Sequence, residues 1–143
     1  MLEILLQNLG LSGFSLKGFG PLLLEGSWMT VKLSFLSLLV SVGLGLIGAS
    51  AKLSNVKLLR VPAQLYTTLI RGVPDLVLML LIFYSLQTWL TSLTEALGWD
   101  YIEINPFSAG VITLGFIYGA YFTETFRGAI LAVPRGQMEA ATA

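Results

Sequence analysis

The stretch LVLMLLIFYSLQTWLTSLT, from Leu76 to Thr94, carries no charged side chain. Two further runs share this property, Leu33–Ala51 and Ile104–Thr123. A helix rises about 1.5 Å per residue, so about 20 residues cross the ~30 Å hydrocarbon core of a bilayer. Apolar side chains surround each run without a polar stripe, as contact with lipid or a neighbouring helix requires. These runs predict an all-α integral membrane bundle with about three spans. The predicted spans cover residues 28–51, 70–94 and 106–133.

The composition agrees with a bilayer environment and removes several chemistries. Of the 143 residues, 55% are hydrophobic and only 11% are charged, whereas soluble domains carry about 25% charged residues. The net charge is zero, so no basic excess is available to hold nucleic acid. The chain has no cysteine and no histidine, which excludes disulfides, thiol catalysis, Ser-His-Asp triads and histidine-ligated zinc. We therefore expect no metal site.

The connections between the spans predict their orientation because one is purely basic and the other purely acidic. Their charged residues are Lys52, Lys57 and Arg60 in the first and Glu95, Asp100 and Glu103 in the second. Loops rich in lysine and arginine stay in the cytoplasm. The N-terminus is therefore predicted outside the cell membrane and the C-terminus inside.

Residues 1–26 are predicted to form a separate extracytoplasmic, interfacial segment. Short leucine clusters alternate there with glycines and a proline, and the first charge is Glu3. A cleavable signal peptide would need a basic start and a continuous apolar core. An interfacial helix and loop is the expected structure.

Opposite charges fall at or inside two predicted spans, where charges are costly and usually functional. Arg71 and Asp75 flank Pro74, four positions apart on one expected helix face, and Pro74 is expected to bend that helix. Glu124 and Arg127 lie three positions apart near the end of the third span. Each pair has two interpretations that stay open. It is either a mutually neutralised structural pair, or part of a cavity between helices in which the carboxylates contact a cationic substrate.

Two further patterns concern packing and docking. Glycines at positions 43, 45 and 48 of the first span and 115 and 119 of the third predict close packing of helices in general, with no particular partner. Pro134 and Gly136 are expected to end the third helix, and residues 137–143 have good helix propensity. On the cytoplasmic side this short helix could dock in the groove of a partner, the alternative being a frayed polar tail.

Three motifs resemble those of bacterial ABC-importer permeases of the polar amino acid branch. PRGQMEAA at residues 134–141 resembles the start of the EAA loop, and RGVP at 71–74 and ETFRG at 124–128 resemble the matching signatures of that branch. The longer strings 67–78 and 113–121 resemble the Q-type permease subunit of histidine/lysine/arginine/ornithine and arginine/ornithine importers. The resemblance runs from about Ser27 to the end of the chain.

The resemblance implies a permease subunit of an ATP-driven importer that moves polar, basic amino acids across the bacterial inner membrane. Its implied partners are a second permease subunit, a cytoplasmic ATPase dimer that binds ATP and Mg²⁺, a periplasmic amino-acid-binding protein and membrane lipid. The sequence contains no Gly-rich phosphate loop, so we expect no cofactor in this chain and no enzymatic activity of its own.

Two sets of site residues follow. The candidate substrate-binding residues are Asp75, Glu124, Arg71 and Arg127. The residues expected to couple the permease to its ATPase are Pro134, Gly136, Glu139, Ala140 and Ala141.

Family members have five spans and continue from the EAA loop into two further helices, so the chain is expected to be a partial permease with the first three spans. Two other classes stay open. One is an ion-coupled secondary amino acid carrier or small channel that uses Asp75 and Glu124 as proton or cation sites. The other is an intramembrane enzyme that uses the same carboxylates as an acid–base pair.

Overall fold

The computed structural model of the protein describes Met1, residues 4–5 and residues 19–143. Most of the predicted N-terminal segment, residues 1–26, therefore lies outside the described residues. The contacts divide the chain into two units, Met1–Lys32 and Leu33–Ala143. All of the predicted site residues lie in the second unit.

Five helices account for most of residues 19–143, and no strand occurs in that range. They are α1 (Gly20–Leu53), α2 (Lys57–Gly72), α3 (Asp75–Leu97), α4 (Pro106–Ala132) and α5 (Arg135–Thr142). The predicted all-α fold is confirmed. Two of the helices, α1 and α3, are long and apolar enough to cross a membrane. With 27 residues, α4 also has the length of a span, but its glycines, hydroxyls and charges make it less apolar.

The first predicted span lies inside α1, which begins at Gly20 and ends at Leu53. Residues 20–26 are therefore helical and continuous with the span. The predicted boundary at residue 26 falls inside this helix, which continues through Glu25 and Gly26.

The second predicted span is wrong at its start. Residues 57–72 form a separate helix, α2, where a connection was predicted, and Val73 is extended with φ −116° and ψ 143°. Proline lacks an N–H and disfavours the helical conformation of the residue before it. Pro74 therefore does not bend one helix but separates two, and α3 starts at Asp75. Arg71 and Asp75 consequently lie on different helices and share no helix face.

The second unit packs around α4, which both α2 and α3 contact. Its apolar core joins Ile70 of α2, Leu78 of α3, and Ile117 and Ala120 of α4. The α2–α4 contact is reinforced by Tyr66, whose hydroxyl donates a hydrogen bond to the backbone carbonyl of residue 116. Burial raises the pKa of the Tyr66 phenol to about 12, so the hydroxyl keeps its proton and remains a donor.

Glycines permit the close approach of α1 and α4. An added Cβ would come within 3.0 Å of a facing side chain at Gly45, Gly48, Gly115 and Gly119. At Gly48 that side chain is Thr123 of α4, which is fully buried. The packing prediction is confirmed at these four positions. It is wrong for Gly43, which has no such neighbour within 4 Å.

The end of the third predicted span agrees with the structure within one residue, since α4 ends at Ala132. The short helix predicted after it is confirmed as α5, which follows Pro134 directly. Gly136 does not break a helix as predicted but lies inside α5. A glycine without a positive φ can occupy a helix interior at a cost of about 1 kcal/mol relative to alanine.

Candidate functional site

Glu124 of α4 is the centre of a polar cluster that joins three helices. Its Oε1 accepts a hydrogen bond from Nζ of Lys52, in the last turn of α1. Its Oε2 accepts from Nε and Nη2 of Arg127, at 3.2 and 2.9 Å. Lys52 Nζ also donates to Oγ1 of Thr67 on α2 at 2.9 Å. One carboxylate thus holds two cations.

The burial of the cluster is uneven. The side chain of Lys52 is 6% exposed, that of Glu124 is 18% exposed and that of Arg127 is 35% exposed. Water and salt therefore screen the Arg127 contact more than the Lys52 contact. The predicted contact between Glu124 and Arg127 is confirmed.

The partnership of Lys52 with Glu124 was missed, because Lys52 was assigned only to the cytoplasmic connection. One signal was available in the sequence. Lys52 directly follows the charge-free run that ends at Ala51. A helix that continues by one or two residues carries such a lysine with it, and its long side chain can then turn towards a neighbouring helix.

Asp75 lies in a different polar contact. Its half-buried carboxylate accepts a hydrogen bond of 2.9 Å from the Tyr121 hydroxyl of α4. The guanidinium of Arg71 lies over the ring of the same tyrosine, 5.5 Å from the ring centroid. Both Asp75 and Arg71 are without an ion-pair partner in the part of the chain that the structure describes. Of the two interpretations of this pair, the mutual salt bridge is wrong, because the break at Pro74 directs both side chains to Tyr121.

An open cavity of about 200 Å³ adjoins the Glu124 cluster. Its side-chain lining is polar and consists of Lys52, Gln64, Thr67, Thr68, Arg71 and Glu124. Of the four predicted substrate residues, the structure brings Arg71 and Glu124 to this cavity, whereas Asp75 and Arg127 lie outside its lining. Such a lining offers charges of both signs and several hydrogen-bond donors, which suits a small ionic or zwitterionic molecule.

The residues predicted to couple the permease to an ATPase lie together just beyond the C-terminal end of α4. Glu139, Ala140 and Ala141 belong to the eight-residue helix α5, and Pro134 precedes it. None of the α5 residues is buried. The small side chains are therefore open to a partner.

Comparison with known proteins places the chain in a family. Residues 41–143 match the family described as "Binding-protein-dependent transport system inner membrane component". The histidine/lysine/arginine/ornithine transport system permease protein HisQ of Salmonella typhimurium is 59% identical over 128 residues, which are 90% of this chain and 56% of that protein. The nopaline transport system permease protein NocQ of Agrobacterium fabrum is 41% identical over 126 residues, 87% of this chain and 53% of that protein.

A solved structure has a similar fold. A crystal structure of an amino acid ABC transporter with histidines superposes with a TM-score of 0.70 and 37% sequence identity, over 90% of this chain and 55% of that chain. The chain belongs to the family of binding-protein-dependent transport system inner membrane components. The predicted helical membrane bundle is thereby confirmed. The chain spans about half the length of the curated relatives it matches.

Proposed function

We propose that the chain is part of a permease subunit of an ATP-driven importer that moves basic amino acids across the bacterial inner membrane. The observation that carries this proposal is the family match over residues 41–143. The substrate class is supported by the 59% identity to a permease named for histidine, lysine, arginine and ornithine transport. The same proposal includes a second permease subunit, an ATPase dimer that holds ATP and Mg²⁺, and a periplasmic amino-acid-binding protein.

The proposed orientation has the N-terminus in the periplasm and the C-terminus in the cytoplasm. Lys52 contributes little to the charge bias, because Glu124 neutralises it. The bias depends instead on Lys57 and Arg60, which are both exposed in the connection between α1 and α3. Positive charges of this kind hold a connection on the cytoplasmic side.

The candidate substrate residues differ in the contacts that each would have to give up to bind a cationic ligand. A cationic ligand can reach Glu124 only by displacing Lys52 or Arg127, because both already bind its carboxylate. Asp75 accepts one hydrogen bond from a neutral hydroxyl and loses no ion pair when a cation approaches. We therefore assign the side-chain cation of the substrate to Asp75 first, and the substrate carboxylate to the neighbouring Arg71. Glu124 and Arg127 join the contact only when the Lys52 pair opens.

Coupling to ATP hydrolysis is assigned to α5. Closure of the ATPase pair would move this helix, and the motion would pass through Pro134 into α4, which carries Glu124 and Tyr121. The cavity would then change between outward-open and inward-open states that bind substrate with different affinity.

The test uses the full-length permease assembled with its partner subunits in sealed vesicles. Uptake of radiolabelled arginine is expected to require ATP and to be insensitive to a protonophore. Uptake that a protonophore abolishes while ATP is present would support an ion-coupled carrier instead. Conversion of the amino acid in detergent, without a second compartment, would support an enzyme.

A further inference from the structure

Helix α2 presents three separate faces. One is buried in the second unit and contains Ala63, Thr67 and Ile70. The second is polar and exposed, and it contains Lys57, Arg60, Gln64, Thr68 and Arg71. The third is apolar and exposed, and it contains Leu58, Val61, Leu65 and Leu69. Each set repeats at the three- and four-residue spacing that places side chains on one side of a helix.

The apolar face is open to a large extent. Leu58 is 81% exposed and Leu69 is 64% exposed. A helix with lysine and arginine on one face and leucine on another lies in the plane of a membrane interface. Its leucines contact acyl chains there and its cations face the headgroups.

The cations of the polar face lack ion-pair partners among the residues that the structure describes. Residues 53–74 contain Lys57, Arg60 and Arg71 and no acidic residue. Glu124, which lines the cavity together with Gln64, Thr68 and Arg71 of this helix, already binds two cations. Within the described part of the chain, no residue forms an ion pair with Lys57, Arg60 or Arg71. A phosphate group outside the protein would supply the missing negative charge.

We propose that α2 binds anionic phospholipids, with its leucine face against the acyl chains and with Lys57 and Arg60 at the headgroup phosphates. Arg71, on the same face, extends this surface towards the polar cavity. Each cation near a negatively charged membrane surface is expected to strengthen binding about fivefold. The proposal concerns the lipid and is independent of the amino acid that the permease transports.

The test measures which lipid surrounds α2 in the full-length permease assembled with cysteine-free partner subunits. This chain has no cysteine, so Leu58→Cys carries a single environment-sensitive fluorophore once any cysteine in the rest of the full-length permease is replaced. The protein is placed in phosphatidylcholine nanodiscs that contain a minor fraction of brominated phosphatidylglycerol or, for comparison, the same fraction of brominated phosphatidylcholine. Bromine quenches the fluorophore at close range. We expect stronger quenching by the brominated phosphatidylglycerol, and a smaller excess at high salt.

Two variants decide whether the α2 cations cause that preference. Lys57→Gln together with Arg60→Gln is expected to lower the apparent affinity for brominated phosphatidylglycerol more than ~tenfold. Arg135→Gln removes another exposed cation, in α5, and should leave the preference unchanged. Equal quenching by the two lipids would overturn the proposal. Absence of quenching by both lipids would overturn it too, because another subunit would then cover α2. If Arg135→Gln lowered the preference as much as the double variant does, the preference would reflect general charge attraction. That result would also overturn the proposal.

Discussion

Lys52 and Glu124, 72 positions apart in the sequence, form an ion pair that joins the end of α1 to α4. The Lys52 side chain is almost fully buried, and its second hydrogen bond goes to Thr67 of α2. A buried charge that loses its partner costs far more than an exposed one. The pair, with the hydrogen bond to Thr67, therefore holds three helices in one arrangement.

Lys52→Gln is expected to lower the free energy of unfolding by about 2 kcal/mol, less than the ~3–5 kcal/mol of a fully buried pair because Arg127 still neutralises Glu124. Arg127→Gln should cost at most about 1 kcal/mol, since that side chain is 35% exposed. Denaturant unfolding of the detergent-purified protein measures both. Lys52→Gln combined with Glu124→Gln should recover part of the loss. Equal costs for the two single variants would contradict the difference in burial.

Gly48→Ala is expected to lower the free energy of unfolding by about 1–3 kcal/mol, because the new methyl group meets the buried Thr123 and forces α1 away from α4. Gly43→Ala, in the same helix, is the matched control. It meets no such neighbour within 4 Å and should be neutral or stabilising by up to about 1 kcal/mol. The same unfolding assay compares them. Adding Thr123→Ala should partly rescue Gly48→Ala, and its failure to do so would argue against this contact.

Asp75→Asn is expected to reduce arginine uptake by the assembled importer at least ~tenfold. A charge-assisted hydrogen bond to the ligand contributes ~1.5–3 kcal/mol, and ~1.4 kcal/mol corresponds to tenfold in affinity. Asp100→Asn removes an exposed acid from the loop between α3 and α4 and serves as the control. Uptake is normalised to the amount of permease in the membrane. Normal uptake by Asp75→Asn would remove Asp75 from the substrate path.

Glu124→Gln separates the two interpretations of its cluster. If Glu124 only neutralises Lys52 and Arg127, the variant should lower protein yield, and Glu124→Gln with Lys52→Gln should restore both yield and uptake. If Glu124 also contacts the substrate, the double variant should regain yield while arginine uptake stays low. Quantitative immunoblots and uptake assays on the same membranes distinguish these results.

Single cysteines at Ser54→Cys and Ser108→Cys are expected to react from opposite sides of the membrane. Ser54 lies between α1 and α2, and Ser108 lies in the first turn of α4. This chain has no cysteine, and any cysteine in the rest of the full-length permease is replaced first, so that each label reports one position. In intact spheroplasts an impermeant maleimide should label Ser108→Cys only. Labelling of Ser54→Cys from outside would reverse the proposed orientation.

Ala141→Trp in the full-length permease is expected to detach the ATPase or to uncouple ATP hydrolysis from uptake, since a close-packed groove does not accept the added volume. Membrane insertion should stay normal, because α5 has no buried residue. Ser108→Trp adds the same bulk on the other predicted side of the membrane and should leave coupling intact. Co-purification of the ATPase and ATP consumed per arginine imported are the measurements. Normal coupling by Ala141→Trp would exclude α5 from this contact.

Charge-free length predicted the long helices because a span must satisfy its backbone internally and place apolar side chains on all sides. The same logic fails for α2. Its leucines and cations alternate at helical spacing, so the segment contains no uncharged run of span length, and it was predicted as a connection. The spacing of Leu58, Leu65 and Leu69 with Lys57 and Arg60 does contain an amphipathic helix signal.

The candidate site was predictable only where its contacts are local. Glu124 and Arg127 meet because three positions bring side chains together on any helix. The contact between Lys52 and Glu124 depends on how α1 crosses α4, which no local spacing determines. The Asp75 contact depends on how α3 packs against α4 and on Pro74 ending a helix where a bend was expected. The role of Tyr121 followed from both of these features and was therefore out of reach.

The interruption at Val73 and Pro74 has a mechanical consequence. Tyr121 contacts the residues on both sides of this interruption. The Arg71 guanidinium lies over its ring, and the Asp75 carboxylate accepts a hydrogen bond from its hydroxyl. While both contacts persist, α2 and α3 cannot rotate independently of each other. The interruption therefore behaves as a hinge that Tyr121 keeps closed. Tyr121→Phe would remove the hydrogen bond to Asp75 and keep the ring under Arg71. Helix α3 could then rotate relative to α4, while α2 would stay in contact with the ring.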